Sequence, residues 1–315
     1  MLPSLERALR EVFNVTMLPA EPGARADFLR ASGARFEGLV TSATMGADAT
    51  LMDALPRLRV ISSFGVGLDK LDVAHAARRG IPVGYTPDLL SDCVADMAFG
   101  LVLDAGRRIS HGDRFVRAGR WAGVTGTPAP ALFPLGRRVS GARLGIVGLG
   151  RIGRKIAQRA SGFDMTVRYT NSRPAEGVPW DFESSPTALA RWADFLVVST
   201  AGGPATRHLI NADVLAALGP DGYLVNVARG TVVDEQALVR ALQQGQIAGA
   251  GLDVFEHEPD VPPALMALDN VVLVPHLSSA TAQTRAAMAQ RVLDNLFAHF
   301  DGQPLLSGAP VPQPA

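Results

Sequence analysis

Three ionisable residues have the types and positions needed for proton transfer on a small acid. Arg229, Glu258 and His276 each follow closely after one of three consecutive β-branched runs. An imidazole gives and takes a proton near neutral pH, and a nearby carboxylate favours its charged form. A guanidinium holds a carboxylate with two N–H donors. Together they predict acid/base chemistry on a substrate that carries a carboxylate.

A second carboxylate competes for the acidic position. Glu256 lies two residues before Glu258, so the chain position alone allows either of them to face His276. The residues leave this choice open. The other histidines are interpreted as surface residues: His75, His111, His208, His257 and His299.

A glycine pattern typical of dinucleotide-binding proteins follows the apolar run Leu144–Val147 and opens a helical pattern. Its defining members are Gly148, Gly150 and Gly153, with Arg151 and Ile152 at the helix start. The first glycine permits a tight turn, the second lets the backbone approach a pyrophosphate, and the third lets the helix pack on the strand. N–H groups at the helix start favour a phosphate. A dinucleotide cofactor is therefore predicted.

The residues at the end of the next predicted strand bear on the choice between NAD and NADP. An NAD enzyme usually places Asp or Glu there, against the ribose 2′-hydroxyl. This chain has Asn171, Ser172 and Arg173 instead, which are donors for a 2′-phosphate. Arg168 is interpreted either as a further donor or as a solvated strand residue. NADP(H) is the preferred cofactor, and NAD(H) stays possible.

Short β-branched runs alternate with helical stretches throughout the chain, which predicts an α/β fold with parallel sheets. In the first part the strand candidates are Val12–Leu18, Gly38–Thr44, Leu58–Phe64 and Pro82–Tyr85. In the second part they are Leu144–Val147, Met165–Tyr169, Phe195–Ser199, Tyr223–Val227, Ala250–Val254 and Val271–Val274. Six parallel strands fit a Rossmann sheet.

The length of 315 residues favours two doubly wound parallel-sheet domains. The larger is predicted to be a Rossmann dinucleotide-binding domain over residues 96–284. The smaller is predicted to be flavodoxin-like, to bind substrate, and to combine residues 1–95 with residues 285–315. A helix near residues 92–109 is interpreted as the crossing between them, and a helix from Thr281 to Phe300 as the return.

The charge balance excludes some function classes. Thirty basic and thirty acidic residues give a net charge of zero, without the basic cluster that nucleic-acid binding needs. The lone Cys93 cannot form an internal disulfide, and no metal site is expected. Glu6 and Arg7 interrupt the N-terminal apolar pattern, so neither a signal peptide nor a membrane span is expected, and a cytoplasmic location is predicted.

The motifs together resemble the D-isomer-specific 2-hydroxyacid dehydrogenases, and most closely their NADPH-dependent glyoxylate/hydroxypyruvate reductase and 2-ketogluconate reductase branch. The resemblance extends over nearly all of the chain. It rests on the glycine pattern, the contexts of the three ionisable residues, the run Ser63–Asp69 and the turn Thr86-Pro87.

The resemblance implies reduction of small 2-oxo acids such as glyoxylate, hydroxypyruvate or 2-ketogluconate to D-2-hydroxy acids by hydride transfer. It implies His276 as the general acid/base, Glu258 as its partner, and Arg229 on the substrate. Backbone N–H groups of Val66 and Gly67 would bind the substrate carboxylate. Implied cofactor contacts, besides the glycine pattern, are Thr200, Ala201, Gly202, Val227, Ala228, Arg229, Asp253, His276 and Ser279.

Two other function classes stay open on the sequence. One is a non-catalytic NAD(P)-sensing protein similar to corepressors with this fold, because a fold alone does not determine function. The other is a dehydrogenase of another small anion such as formate or phosphite.

The apolar connector from Trp121 to Leu135 predicts a homodimer, because it has few charges to keep it soluble when exposed. In enzymes that this chain resembles, the region of Leu132, Phe133 and Pro134 lies near the neighbouring subunit's active site.

Overall fold

The computed structural model describes residues 3–122 and 133–311. The chain divides into two compact units. One unit combines Met1–Leu90 with Thr281–Ala315, and the other is Ser91–Ala280. The first unit therefore contains both ends of the chain, and the second is continuous.

The strands and helices are numbered here in chain order. The strands are β1 (Gly38–Ser42), β2 (Val60–Phe64), β3 (Val83–Gly84), β4 (Arg143–Val147), β5 (Thr166–Thr170), β6 (Asp181–Phe182), β7 (Phe195–Val198), β8 (Tyr223–Asn226), β9 (Gly249–Leu252) and β10 (Val271–Leu273). The α-helices are α1 (Pro3–Val12), α2 (Pro22–Ser32), α3 (Ala49–Asp53), α4 (Val73–Arg78), α5 (Ser91–Arg107), α6 (Ile109–Arg117), α7 (Arg151–Ala160), α8 (Pro186–Trp192), α9 (Ala212–Leu218), α10 (Glu235–Gln243), α11 (Pro263–Met266) and α12 (Ala282–Phe300).

The smaller unit has a three-stranded parallel sheet in the order β1-β2-β3. Helices α1 and α12 pack together on one side of β2, where a cluster including Leu5, Val60 and Val292 is buried. Asn295 of α12 is fully buried and exchanges hydrogen bonds with Ser307 at 3.1 Å in each direction. This exchange fixes the chain after α12 to the helix.

The larger unit has a seven-stranded parallel sheet in the order β10-β9-β8-β7-β4-β5-β6. Strands β7, β8 and β9 are buried along their whole length, as expected of a parallel sheet covered on both faces. Helix α5 packs against α7 and β9. The strand order reverses between β4 and β7, and open α/β sheets bind ligands beyond the strand ends at such a point. The predicted α/β fold with two parallel sheets is confirmed.

Several predicted elements differ in the structure. The predicted strand Val12–Leu18 is wrong: Val12 ends α1, and the residues after it have no strand assignment. Phe13 instead packs its ring against Phe297 and Phe300 of α12, with centroids 5.6 and 5.7 Å apart, so contact with a helix takes the place of strand pairing. The larger sheet has a seventh strand, β6, whose two residues are too short for a sequence pattern. Helix α5 ends at a left-handed Arg108, with φ of 57°, and α6 follows.

Part of the predicted dimer connector lies outside the described residues, namely 123–132 with Leu132. Phe133, directly after this gap, packs its ring against His111 and Phe115 of α6, with centroids 4.7 and 5.4 Å apart. Among the helices of residues 3–122 and 133–311, none combines the length and the apolar character needed to cross a membrane.

Candidate active site

The glycine loop after β4 has the close approaches that its sequence predicts. Gly148 has φ of +99°, and a Cβ there would lie 2.6 Å from the Thr200 backbone. A Cβ on Gly153 would lie 2.2 Å from the Gly148 carbonyl oxygen. By contrast, a Cβ on Gly150, which precedes α7, would meet no atom within 4 Å. The open side of Gly150 at a helix N-terminus fits a dinucleotide pyrophosphate.

Hydrogen bonds from the neighbouring strand ends hold this loop. The Ser199 hydroxyl, after β7, donates to the Gly148 carbonyl at 2.8 Å. The Leu149 N–H donates to the side-chain oxygen of Asn171, after β5, at 2.7 Å. The side-chain oxygen of Asn171 is therefore hydrogen-bonded within the protein, and the side-chain NH₂ group is the part that can donate to a ligand.

At the end of β5 the candidate donors for a 2′-phosphate differ in their exposure and in their partners. Ser172 and Arg173 are exposed, and Asn171 is half-buried. Arg168 instead donates to Glu183 at 2.8 Å and lies over the Trp192 ring at 4.6 Å. Arg168 therefore belongs to the sheet edge, which favours the second interpretation of this residue.

The side chains of His276 and Glu258 are hydrogen-bonded. Nδ1 of His276 lies 2.8 Å from Oε2 of Glu258, so Nε2 is the ring nitrogen that can face a substrate. His276 has φ of 52°, and its N–H donates to the Asp253 carbonyl at 3.0 Å. Both side chains are about a third exposed, at 33% and 28%. The pair is therefore both accessible and oriented.

Several groups act on the Glu258 carboxyl. Burial raises its pKa, but the hydrogen bond and charge of His276 oppose this, and so do the Phe255 N–H and the charge of Arg229. The opposing groups prevail, and the pKa of Glu258 lies below its usual value. Glu258 is thus an anion at neutral pH, and its carboxylate accepts a hydrogen bond from Nδ1 of His276.

Asp253 anchors the loop that follows His276. It is 1% exposed, and its carboxylate accepts the Leu277 N–H at 2.5 Å and the Ser278 N–H at 3.2 Å. Burial raises the pKa of Asp253 in spite of these bonds. The sequence placed Asp253 at the cofactor, and the structure shows in addition a role in holding the His276 loop.

The turn after β8 presents Arg229. Asn226 shapes this turn, because its side chain accepts the Ala228 N–H and donates to the Arg229 carbonyl, both at 3.0 Å. Nη1 of Arg229 donates to the Ala228 carbonyl at 2.8 Å. A Cβ on Gly230 would lie 1.9 Å from the Phe255 carbonyl carbon, so only glycine lets the Arg229 turn and the segment before Glu258 meet.

The other predicted cofactor residues lie in different environments. Arg151 and Ala201 are exposed, Ile152, Thr200, Gly202 and Ser279 are half-buried, and Val227 and Ala228 are buried.

In the smaller unit, Val66 and Gly67 follow β2 and are half-buried. Gly65, with φ of +141°, exchanges hydrogen bonds with the buried Thr86, whose hydroxyl accepts the Gly65 N–H at 3.0 Å.

The sequence interpretation missed the contacts of Glu256. Its carboxylate is bonded to His208 and Arg207 rather than to His276. His208 is therefore not a simple surface residue, and neither is His111, whose side chain is 11% exposed. The only sequence feature that bears on these contacts is the two-residue spacing of Glu256 and Glu258.

Comparison with known proteins identifies the family of this chain. Residues 99–278 match the family model described as D-isomer specific 2-hydroxyacid dehydrogenase, NAD binding domain. The chain is 45% identical to a hydroxyphenylpyruvate reductase of Plectranthus scutellarioides, over 96% of this chain and 94% of the relative. It is 43% identical to a 2-ketogluconate reductase of Gluconobacter oxydans, over 98% and 95%.

A solved structure extends the likeness to three dimensions. It is the NADPH-dependent glyoxylate/hydroxypyruvate reductase of Sinorhizobium meliloti in complex with NADP and malonate, with a TM-score of 0.90 and 42% identity over 100% of this chain and 97% of that one. The chain therefore belongs to the D-isomer specific 2-hydroxyacid dehydrogenase family, and it is an enzyme that uses a nicotinamide cofactor.

Proposed function

We propose that this enzyme reduces small 2-oxo acids to D-2-hydroxy acids with NADPH. The observation that carries the proposal is the hydrogen-bonded pair of His276 and Glu258, at 2.8 Å. The segments that carry this pair and Arg229 follow the neighbouring parallel strands β10, β9 and β8. Relatives named as reductases of glyoxylate, hydroxypyruvate and 2-ketogluconate support the substrate class.

The roles proposed for the side chains follow from their chemistry. The nicotinamide cofactor, when bound, supplies the hydride. Nε2 of His276 donates a proton to the oxygen at C2, while Glu258 stabilises the imidazolium and keeps the ring oriented. The guanidinium of Arg229 binds the substrate carboxylate. For Val66 and Gly67, a backbone contact with that carboxylate rests on the family resemblance.

The two units are proposed to divide the binding roles. The larger, predicted as residues 96–284, would hold the cofactor on its glycine loop. The smaller, predicted as 1–95 with 285–315, would bind substrate through the loop after β2.

A steady-state panel tests the function. Glyoxylate, hydroxypyruvate, pyruvate, phenylpyruvate and 2-ketogluconate are each assayed with NADPH and with NADH, and formate and phosphite with the oxidised cofactors. Turnover of a 2-oxo acid to the D-product, identified by chiral chromatography, is expected. Turnover of formate or phosphite alone would overturn the proposal, and cofactor binding without turnover would favour a sensing protein.

NADPH preference is expected from the end of β5. Donors at Asn171, Ser172 and Arg173 can bind the 2′-phosphate, and a charge-assisted hydrogen bond contributes about 1.5–3 kcal/mol. One such bond gives about a tenfold to several-hundredfold preference in kcat/KM. The double substitution Asn171→Asp with Arg173→Ala should invert this preference, because it raises KM for NADPH while kcat at saturating cofactor stays similar.

The matched control for this change is Arg191→Ala, which removes an exposed arginine of α8 and should leave the cofactor preference unchanged. Equal kcat/KM values for NADH and NADPH in the unmodified enzyme would show that the strand end does not select the cofactor.

A homodimer is expected in solution. Large apolar side chains are exposed on and around the described parts of the connector: Ile109 at 57%, Val116 at 51%, Trp121 at 64% and Leu135 at 75%. A second copy that covers them would remove this apolar area from water. Sedimentation velocity at micromolar concentration should give twice the mass of one chain, and a monomer would contradict the prediction.

A further inference from the structure

Glu256 is the centre of a polar cluster formed by Arg207, His208, Glu235 and Glu256. The Glu256 side chain is only 10% exposed, and its Oε1 accepts from Nη2 of Arg207 and lies against Nε2 of His208, both at 2.9 Å. Arg207 and His208 lie 48 or more residues away in the chain. A nearly buried carboxylate with two such partners has a well-defined position.

The cluster also fixes the backbone that precedes Glu258. The Glu256 N–H donates to Oε1 of Glu235, at the start of α10, at 3.2 Å. One residue earlier, the Phe255 N–H donates to Oε1 of Glu258 at 3.1 Å. The same short segment is therefore bonded to the cluster on one side and to the partner of His276 on the other.

A third contact connects the cluster to the Arg229 turn. The His208 N–H donates to the Thr231 carbonyl at 2.9 Å. Beside it, Gly230 lies so close to the segment that an added Cβ would be 2.3 Å from the Glu256 nitrogen. These backbone contacts pack the Arg229 turn tightly against the segment that precedes Glu258.

The charges of the cluster are consistent with an ionised Glu256. Burial raises the pKa of its carboxyl, but the bonds and charges of His208 and Arg207 outweigh burial and lower it. Burial raises the pKa of Glu235; the Glu256 N–H opposes this, the Glu256 charge adds to it, and the His257 charge lowers it. The charged groups that face Glu256 are therefore Arg207, His208 and Glu235.

We propose that Glu256, held by Arg207 and His208, is a positioning residue that fixes Glu258 and thereby the orientation of His276. The proposal rests on the function proposed above, since it needs His276 as the proton donor. Glu256 touches neither reacting group, so its effect passes through the segment that carries Glu258.

The test uses Glu256→Gln in the full-length enzyme, with His208→Ala as a second variant that removes a partner at a one-third exposed position. Loosening Glu258 should weaken its hydrogen bond to the His276 ring. The high-pH limb of kcat for reduction should therefore move to lower pH, by about 0.5–1 unit. At pH 8 kcat should then fall about three- to tenfold, because kcat decreases tenfold per pH unit on that limb. Asp260→Asn, at an exposed site on the same segment, is the control and should change neither.

A double-mutant cycle separates positioning from a general loss of structure. Glu258→Gln alone should also shift the limb, and adding Glu256→Gln to it should cause no further shift, because the two act along one path. A shift with Glu258→Gln but not with Glu256→Gln or His208→Ala would overturn the positioning role alone. Additive shifts in the double variant would also overturn it. No shift in any variant would overturn the catalytic pair as well.

Discussion

His276→Ala should lower kcat for reduction of a 2-oxo acid by at least about 10²-fold. The substitution removes the proton donor, so an alkoxide would form at C2 without an acid to neutralise it. The hydrogen bond from the His276 backbone N–H to the Asp253 carbonyl does not depend on the side chain, so the surrounding loop should keep its position. Turnover is measured under saturating substrate and NADPH, and the dissociation constant of NADPH by fluorescence titration should barely change.

His257→Ala provides the matched control, because His257 is an exposed imidazole nineteen residues earlier and should retain full turnover. A loss of less than tenfold in His276→Ala, with the D-product still formed, would mean that another group or water donates the proton.

Arg229→Gln should lower kcat/KM for 2-oxo acids by about 10²- to 10⁴-fold. Two charge-assisted hydrogen bonds to the substrate carboxylate are lost, each contributing about 1.5–3 kcal/mol, at about 1.4 kcal/mol per tenfold change. The kcat/KM of Arg229→Lys should lie between those of Arg229→Gln and the unmodified enzyme, because an ammonium keeps the charge but not the bidentate geometry. We expect most of the decrease in kcat/KM to come from a higher KM for the 2-oxo acid.

Arg240→Gln, at an exposed position on α10, is the control for Arg229→Gln and Arg229→Lys. Thermal unfolding of each variant detects loss of the Arg229 bond to the Ala228 carbonyl. If KM for the 2-oxo acid stayed within a few-fold in Arg229→Gln, the substrate carboxylate would have to be bound elsewhere.

Local patterns were sufficient to predict the large sheet. Strands β7, β8 and β9 are buried throughout, so their apolar runs are continuous and readable from sequence. The prediction was wrong at Val12–Leu18, where an apolar alternation is also compatible with the end of α1. Short edge strands such as β6 have too few residues to show a period.

The candidate site could be predicted in part. Arg229, Glu258 and His276 could be singled out because each lies beside a strand end and has a type suited to acid/base chemistry. The partners of Glu256 could not, because the bonded residue Arg207 is 49 positions away and is brought there only by the fold. Nor does any local pattern show that Asp253 holds the loop after His276.

The hydrogen bond between Asn171 and the Leu149 N–H has a consequence for how cofactor choice can change during evolution. An aspartate at this position would keep an oxygen for the same N–H, so the glycine loop would retain its anchor while a negative charge appeared beside the ribose. Asparagine and aspartate codons differ by one nucleotide. With the NADPH preference proposed above, a lineage carrying this sequence could therefore begin to exchange NADPH for NADH in one mutational step while the glycine loop keeps its anchor.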